Sequence, residues 1–178
     1  MYTPSILQLC CFTNLWPDHF NVESWDLRLK RNIFDIPFNY PGQFDIVCAA
    51  PTCDQFTKAN AHHWQKEPLD YIYLAQRCLD LCKLSGKFWF LENPPGRIEK
   101  FIPELTKYRV ITWRSPGSNK EYVIYANFII TQPLSMRYGR HPIKKFDNMT
   151  KKQREAWDPA LISDIIASIS PNSVCCKR

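Results

Sequence analysis

Two residues offer chemistry through their type and position: Cys53 and Glu92, each set just beyond an apolar run. The run Phe44 to Ala49 stops at Pro51-Thr52-Cys53, and Lys-Phe-Trp-Phe-Leu at 87–91 leads into Glu92-Asn93-Pro94-Pro95. A thiolate is a carbon nucleophile, and a carboxyl group that burial drives toward neutrality can hold or donate a proton. Singly, each has an ordinary reading, a thiol that closes a strand and a carboxylate that anchors a loop. On neighbouring strand ends they suit nucleophilic addition to an electron-poor ring. The thiolate attacks carbon while the acid protonates or hydrogen-bonds the ring nitrogen that gains charge, as in substitution at C5 of a pyrimidine.

Positioning these groups requires buried strands with their carboxyl ends on one edge. Ser5 to Cys11, Phe44 to Ala49 and Lys87 to Leu91 read as such strands, with Asn21 to Leu27 a shorter one. Glu67 to Leu84 has proline at its second position and Leu69, Ile72, Ala75, Leu79 and Cys82 at helical spacing, with Gly86 beyond its end, which predicts a helix. Arg97 to Leu105 predicts a short helix interrupted by Pro103. Arg109 to Trp113 and Glu121 to Ile130 predict an antiparallel strand pair across the turn at Ser115 to Lys120. Thr150 and Pro159 start a final helical segment with Leu161, Ile165, Ile166 and Ile169 on its apolar face. The expected fold is α/β: one Rossmann-like, mostly parallel sheet with helices on both faces and a late antiparallel strand pair, with ligands at the strands' carboxyl ends. Residues 1–170 make one domain and 171–178 a tail.

The composition fits a single filled core: 178 residues, 45% hydrophobic and 14% aromatic. A basic leader and a long apolar segment are both lacking, which predicts a soluble, unexported protein of the cytoplasm. Of eight cysteines, Cys10, Cys11, Cys48, Cys78 and Cys82 lie in apolar or amphipathic runs, as expected of core thiols in a reducing compartment. Between Gln132 and Arg154, seven Lys or Arg face one acid, an excess equal to the whole net charge of +6. Arg137, Arg140, Lys144 and Lys145 in that stretch are candidates to neutralise phosphates, with Tyr138 or Phe146 available for stacking; a solvated surface is the plainer reading. His62-His63 lacks the spaced partners of a metal site, and no metal is expected. Thr57 to His63 reads as a polar loop that closes over the site.

The ordered series Ile-Leu-Gln-Leu-Cys-Cys-Phe-Thr-Asn, Ser-Trp-Asp-Leu, Ile-Phe-Asp-Ile, Phe-Asp-Ile-Val-Cys-Ala-Ala-Pro-Thr-Cys and Phe-Leu-Glu-Asn-Pro resembles the motifs of cytosine-C5 DNA methyltransferases, particularly compact phage-type members. The resemblance implies that Cys53 attacks C6 of a flipped cytosine, that Glu92 contacts N3, and that Arg114 meets the cytosine carbonyl. It implies S-adenosylmethionine as cofactor, held by Leu9, Cys10, Phe12, Asp26, Asp35 and Pro51. Asp26, or Glu23 if the strand ends earlier, would take the ribose, and Asp35 the adenine amino group. DNA is the implied partner, with RNA or a nucleotide as alternatives.

The chain departs from the family at three places. Phe12 and Asn14 stand where the family has glycines, and Phe lacks both glycine's conformational freedom and its small size. Thr52 replaces a proline beside the nucleophile, and Glu-Asn-Pro replaces Glu-Asn-Val. Thr-Lys-Lys-Gln-Arg-Glu-Ala-Trp followed by Asp-Pro-Ala-Leu-Ile-Ser-Asp-Ile-Ile-Ala resembles compressed closing motifs, without room for a separate target-recognition domain. Two other readings stay open: a Cys/Glu enzyme acting at C5 of another pyrimidine, and a degenerate fold that only binds nucleic acid or a protein.

Overall fold

The computed structural model describes residues 3–11, 16–85, 87–115, 120–130 and 157–169. Its strands are β1 (Ser5–Leu9), β2 (Asn21–Trp25), β3 (Ile46–Ala49), β4 (Phe88–Asn93), β5 (Arg109–Arg114) and β6 (Glu121–Ala126). They form one six-stranded sheet in the order β2-β1-β3-β4-β6-β5. β1 pairs in parallel with β2 and β3, and β3 with β4; β6 is antiparallel to both β4 and β5. β5 therefore points the same way as the first four strands, and of the six only β6 is reversed.

The central strands are almost continuously buried, and this is why they read as unbroken apolar runs. Successive side chains go to opposite faces. Leu7, Leu9, Val47, Ala49, Trp89 and Leu91 pack with Ala75, Cys78, Leu79 and Cys82 of α1 (Leu69–Lys83). Ile6, Ile46, Cys48, Phe90 and Ile124 pack with Leu161, Ile162 and Ile165 of the last described helix. The chain is thus α/β with one mixed sheet and helices on both of its faces. Leu69, placed by its spacing on the inner face of α1, is instead half-exposed at the helix start.

Several elements end earlier than their composition suggests, for local reasons. β1 stops at Leu9 because Cys10 takes a left-handed φ of 55° and sends its N–H to Trp25 O at 2.8 Å. β2 stops at Trp25 because Asp26 caps a 3-10 turn over Leu27–Leu29, its Oδ1 accepting from Arg28 N at 2.8 Å. β6 stops at Ala126, where the Asn127 side chain takes over part of the pairing: Oδ1 accepts from Trp89 N at 2.9 Å and Nδ2 donates to Lys87 O at 2.6 Å, while Asn127 N still donates to Trp89 O at 3.3 Å. Pro103 splits the 97–105 segment into a single helical turn, α2 (Ile98–Phe101), and a 3-10 helix from Pro103 to Tyr108.

The last described helix, α3 (Pro159–Ile169), is latched to β5. Trp113 Nε1 donates to Asp164 Oδ2 at 2.7 Å, and Ser115 Oγ donates to Asp158, which also caps α3. Thr150 and the tail from 171 onward lie outside the described residues. Among the described residues, no helix is long and apolar enough to cross a membrane.

Candidate functional site

Cys53 and Glu92 leave adjacent parallel strands at the same edge. Ala49 of β3 is level with Leu91 of β4, so Glu92 sits one step beyond the last paired position. The chain turns tightly after the cysteine, with Phe56 N and Thr57 N both donating to Cys53 O at 2.8 Å. The two loops are then joined along their length. Asn93 Nδ2 donates to Pro51 O at 3.1 Å, Lys58 N to Pro95 O at 3.2 Å, and Arg97 N to Phe56 O at 2.9 Å. Arg97 Nε adds a bond to Gln55 O at 2.9 Å. Gly96 is required by this contact, since a Cβ there would stand 1.7 Å from Phe56 O. These bonds hold the Cys53 loop, in which Thr52 stands between Pro51 and the cysteine.

A cavity of about 880 Å³ opens at this edge, within the range that holds a small-molecule ligand. Of the residues expected from the sequence, it brings together Cys10, Asp26, Pro51, Cys53 and Glu92. Among the described residues, it does not bring in Leu9, Asp35 or Arg114. Leu9 is fully buried in the core, and Asp35 is exposed and outside the lining, where Asn32 and Ile33 stand instead. Arg114 is exposed and pairs with Glu121 Oε1 at 2.9 Å. Glu23 is engaged elsewhere, accepting from Trp25 Nε1 at 2.7 Å and from Tyr40 OH at 2.8 Å, so Asp26 is the acid that reaches the cavity. Phe12, Asn14, Arg137, Tyr138, Arg140, Lys144, Lys145 and Phe146 lie outside the described residues.

Burial sets the electrostatics. It drives the Glu92 carboxyl up to about 7, opposed by a hydrogen bond from Trp157 Nε1 to Oε2 at 3.0 Å and by the nearby Lys120 charge. Burial also pushes the Cys53 thiol up to about 12, with Glu92 and Asp54 adding to the rise and Lys120 opposing it. Lys120 is itself lowered by burial, against the pull of Glu92, Asp158 and Cys53. Near neutral pH the site thus holds a protonated thiol and a carboxyl poised to gain or lose its proton. It can donate a hydrogen bond from Glu92, and it can form a thiolate once a ligand supplies a route for the proton.

Lys120 and Trp157 are cavity residues that composition and spacing did not single out. Lys120 precedes β6, and only the reversal of that strand brings its first residues to the edge where the parallel strands end. Trp157 precedes α3 and packs against Phe90 with ring centroids 5.3 Å apart and planes tilted by 47°, its indole nitrogen meeting Glu92. The sequence signal available for it was the tryptophan closing the threonine-led segment. The segment expected to be a closing loop forms two 3-10 turns within Lys58–His63, joined across a kink at Asn60, and Thr57, Lys58, Ala59 and Asn60 line the cavity. His62 and His63 lie with ring centroids 4.0 Å apart and planes tilted by 47°; among the described residues no group of three His, Cys, Asp or Glu is placed to hold a metal. No family model matches the chain, and no curated protein matches it.

Proposed function

We propose that this chain is a cytosine-C5 methyltransferase-like enzyme with a Rossmann-like fold, acting on DNA with S-adenosylmethionine as methyl donor. One observation carries the reading: a thiol and a raised carboxyl, Cys53 and Glu92, line one cavity from adjacent strand ends, with Asp26 at the end of β2 lining the same space. An acid at that strand end suits ribose hydroxyls, and Cys10, Asn32 and Ile33 supply further wall on the same side. The residues present thus fit a nucleoside-bearing cofactor, which when bound supplies the methyl group that C5 takes up.

The chain's own residues account for the rest of the reaction. Trp157 Nε1–H can only donate, so when Glu92 is neutral its proton belongs on Oε1, the oxygen that Trp157 leaves open. Glu92 passes this proton to ring N3 as the Cys53 sulfur bonds to C6. The thiol proton leaves with solvent or a substrate group. Electron density then gathers at C5. Loss of the C5 proton to solvent and breaking of the Cys53–C6 bond restore the ring, the released thiolate regains a proton from solvent, and N3 returns its proton to Glu92. The basic segment at 132–154 serves as a phosphate clamp, and binding through it weakens as salt rises.

A second reading keeps Cys53 and Glu92 but makes the substrate a free pyrimidine nucleotide. Arg28, Arg31 and Lys58 on the cavity wall favour it, because they offer positive charge to a small ligand's phosphates. Transfer of labelled methyl from S-adenosylmethionine into a cytosine-containing duplex separates the readings. Incorporation that disappears in Cys53→Ser supports the DNA reaction, and incorporation only into nucleotides supports the second. Salt-sensitive duplex binding with no turnover would point to a binding protein.

A further inference from the structure

Cys10 ends β1 half-buried on the cavity wall, and Cys78 lies fully buried on α1, 68 positions further along the chain. Their sulfurs are 3.7 Å apart, with the Cys78 S–H directed at Cys10 Sγ. The thiols beside them are oriented differently. Cys11 Sγ donates to Leu9 O at 3.4 Å, and Cys82 Sγ donates to Phe90 O at 3.8 Å. Of these four, Cys10 and Cys11 line the cavity, Cys10 half-buried and Cys11 buried, and Cys78 is the one whose hydrogen meets another sulfur. The reaction proposed above uses Cys10 only as cavity wall and the other three not at all.

We infer that Cys10 and Cys78 form a peroxide-oxidisable dithiol in the wall of the cavity, Cys10 reacting first and Cys78 resolving it to a disulfide. The Cys10 sulfur attacks one peroxide oxygen, the O–O bond breaks, and hydroxide departs as water with the thiol proton. Sulfur is oxidised to the sulfenic acid and the peroxide is reduced. The Cys78 sulfur then attacks the Cys10 sulfur, the S–O bond breaks, and hydroxide leaves as a second water with the Cys78 proton. The sulfurs must close by about 1.7 Å to reach disulfide length. That movement draws the Cys10 side chain from the cavity wall toward α1. Cys53 shares the cavity but is held protonated by burial and by Glu92, which slows its own attack on peroxide. This inference does not rest on methyl transfer, and failure of either leaves the other standing.

The test treats the whole chain with stoichiometric hydrogen peroxide, caps remaining thiols with N-ethylmaleimide, and maps the peptides by mass spectrometry. The expected result is a loss of two hydrogens per chain, a cross-linked Cys10–Cys78 peptide, reversal by dithiothreitol, and a higher Tm for the oxidised form. In Cys78→Ala the reaction should stop at a Cys10 sulfenic acid trapped by dimedone, while Cys82→Ala should still give the cross-link. Oxidation confined to Cys53, a cross-link to Cys11 or Cys82, or no oxidation at all would overturn the inference. The wild-type map decides this even where a variant fails to fold.

Discussion

Asn93 Nδ2 donates to Pro51 O at 3.1 Å, and this bond joins the strand end that bears Glu92 to the loop that bears Cys53. Both residues are buried, so the carbonyl has no water to turn to when the donor is removed. Asn93→Ala should cost about 1–3 kcal/mol of stability, the usual cost of stranding a buried acceptor. Turnover should fall further than the loss of folded protein explains, because the nucleophile and the acid lose their common tie. Urea denaturation set against specific activity checks both effects; unchanged stability and rate would show that the loops are held without this bond.

Gly96 tests the other end of the same junction. A methyl group there would overlap Phe56 O, whose acceptance from Arg97 N also closes the loops. Gly96→Ala should destabilise the chain by about 3 kcal/mol, near the top of the range for overpacking. Thermal unfolding measures it, and a wild-type Tm would mean that the loops can part at little cost.

Burial of Glu92 makes stability depend on pH in a defined direction. Its carboxyl is raised from 4.5 to about 7, so between these values the folded chain binds more protons than the unfolded one. The stabilisation tied to the neutral carboxyl is therefore fully present below pH 4.5 and is lost as pH rises through 7. A shift of this size corresponds to roughly 3 kcal/mol. Glu92→Gln keeps an oxygen for Trp157 Nε1 and removes the charge. It should be more stable than wild type at pH 8 and lose that advantage at pH 5. Denaturation curves that differ equally at both pH values would mean that Glu92 titrates normally.

Trp157→Phe separates the indole donor from the ring. Phenylalanine still packs on Phe90, while Glu92 loses the hydrogen bond that favours its ionised form. The Glu92 carboxyl should then titrate above its wild-type position, moving the alkaline limb of any pH–rate profile upward, because Glu92 acts in its protonated form. Carbon-13 NMR of the Glu92 carboxyl reads this shift directly, without relying on activity. A titration midpoint that stays in place would assign Trp157 to packing alone.

The features legible in the sequence were those that continuous burial or tight spacing imposes. β1, β3, β4 and the α1 face from Ala75 to Cys82 announce themselves because both sheet faces are covered and the helix shows one side to the core. The sharing of one edge by Cys53, Glu92 and Asp26 followed from parallel strands. Asp35 was misplaced because its position depends on how the 3-10 turn at Ile33–Asp35 is oriented, and Asn32 and Ile33 reach the cavity in its place. Lys120 and Trp157 come to Glu92 through the reversal of β6 and the latching of α3, long-range events with no local pattern. Cys10 reads as a strand residue, and only its left-handed backbone brings the strand to an end there.

The central claim is that Cys53 forms a bond to C6 of a pyrimidine while Glu92 serves N3. It is tested most directly by incubating the chain with S-adenosylmethionine and an oligonucleotide carrying 5-fluorocytosine, whose C5 fluorine cannot leave as a proton does. The account predicts a protein–DNA adduct that survives denaturation, maps to the peptide containing Cys53, and is absent in Cys53→Ser. No adduct with the wild-type chain, or an adduct undiminished in Cys53→Ser, would contradict it.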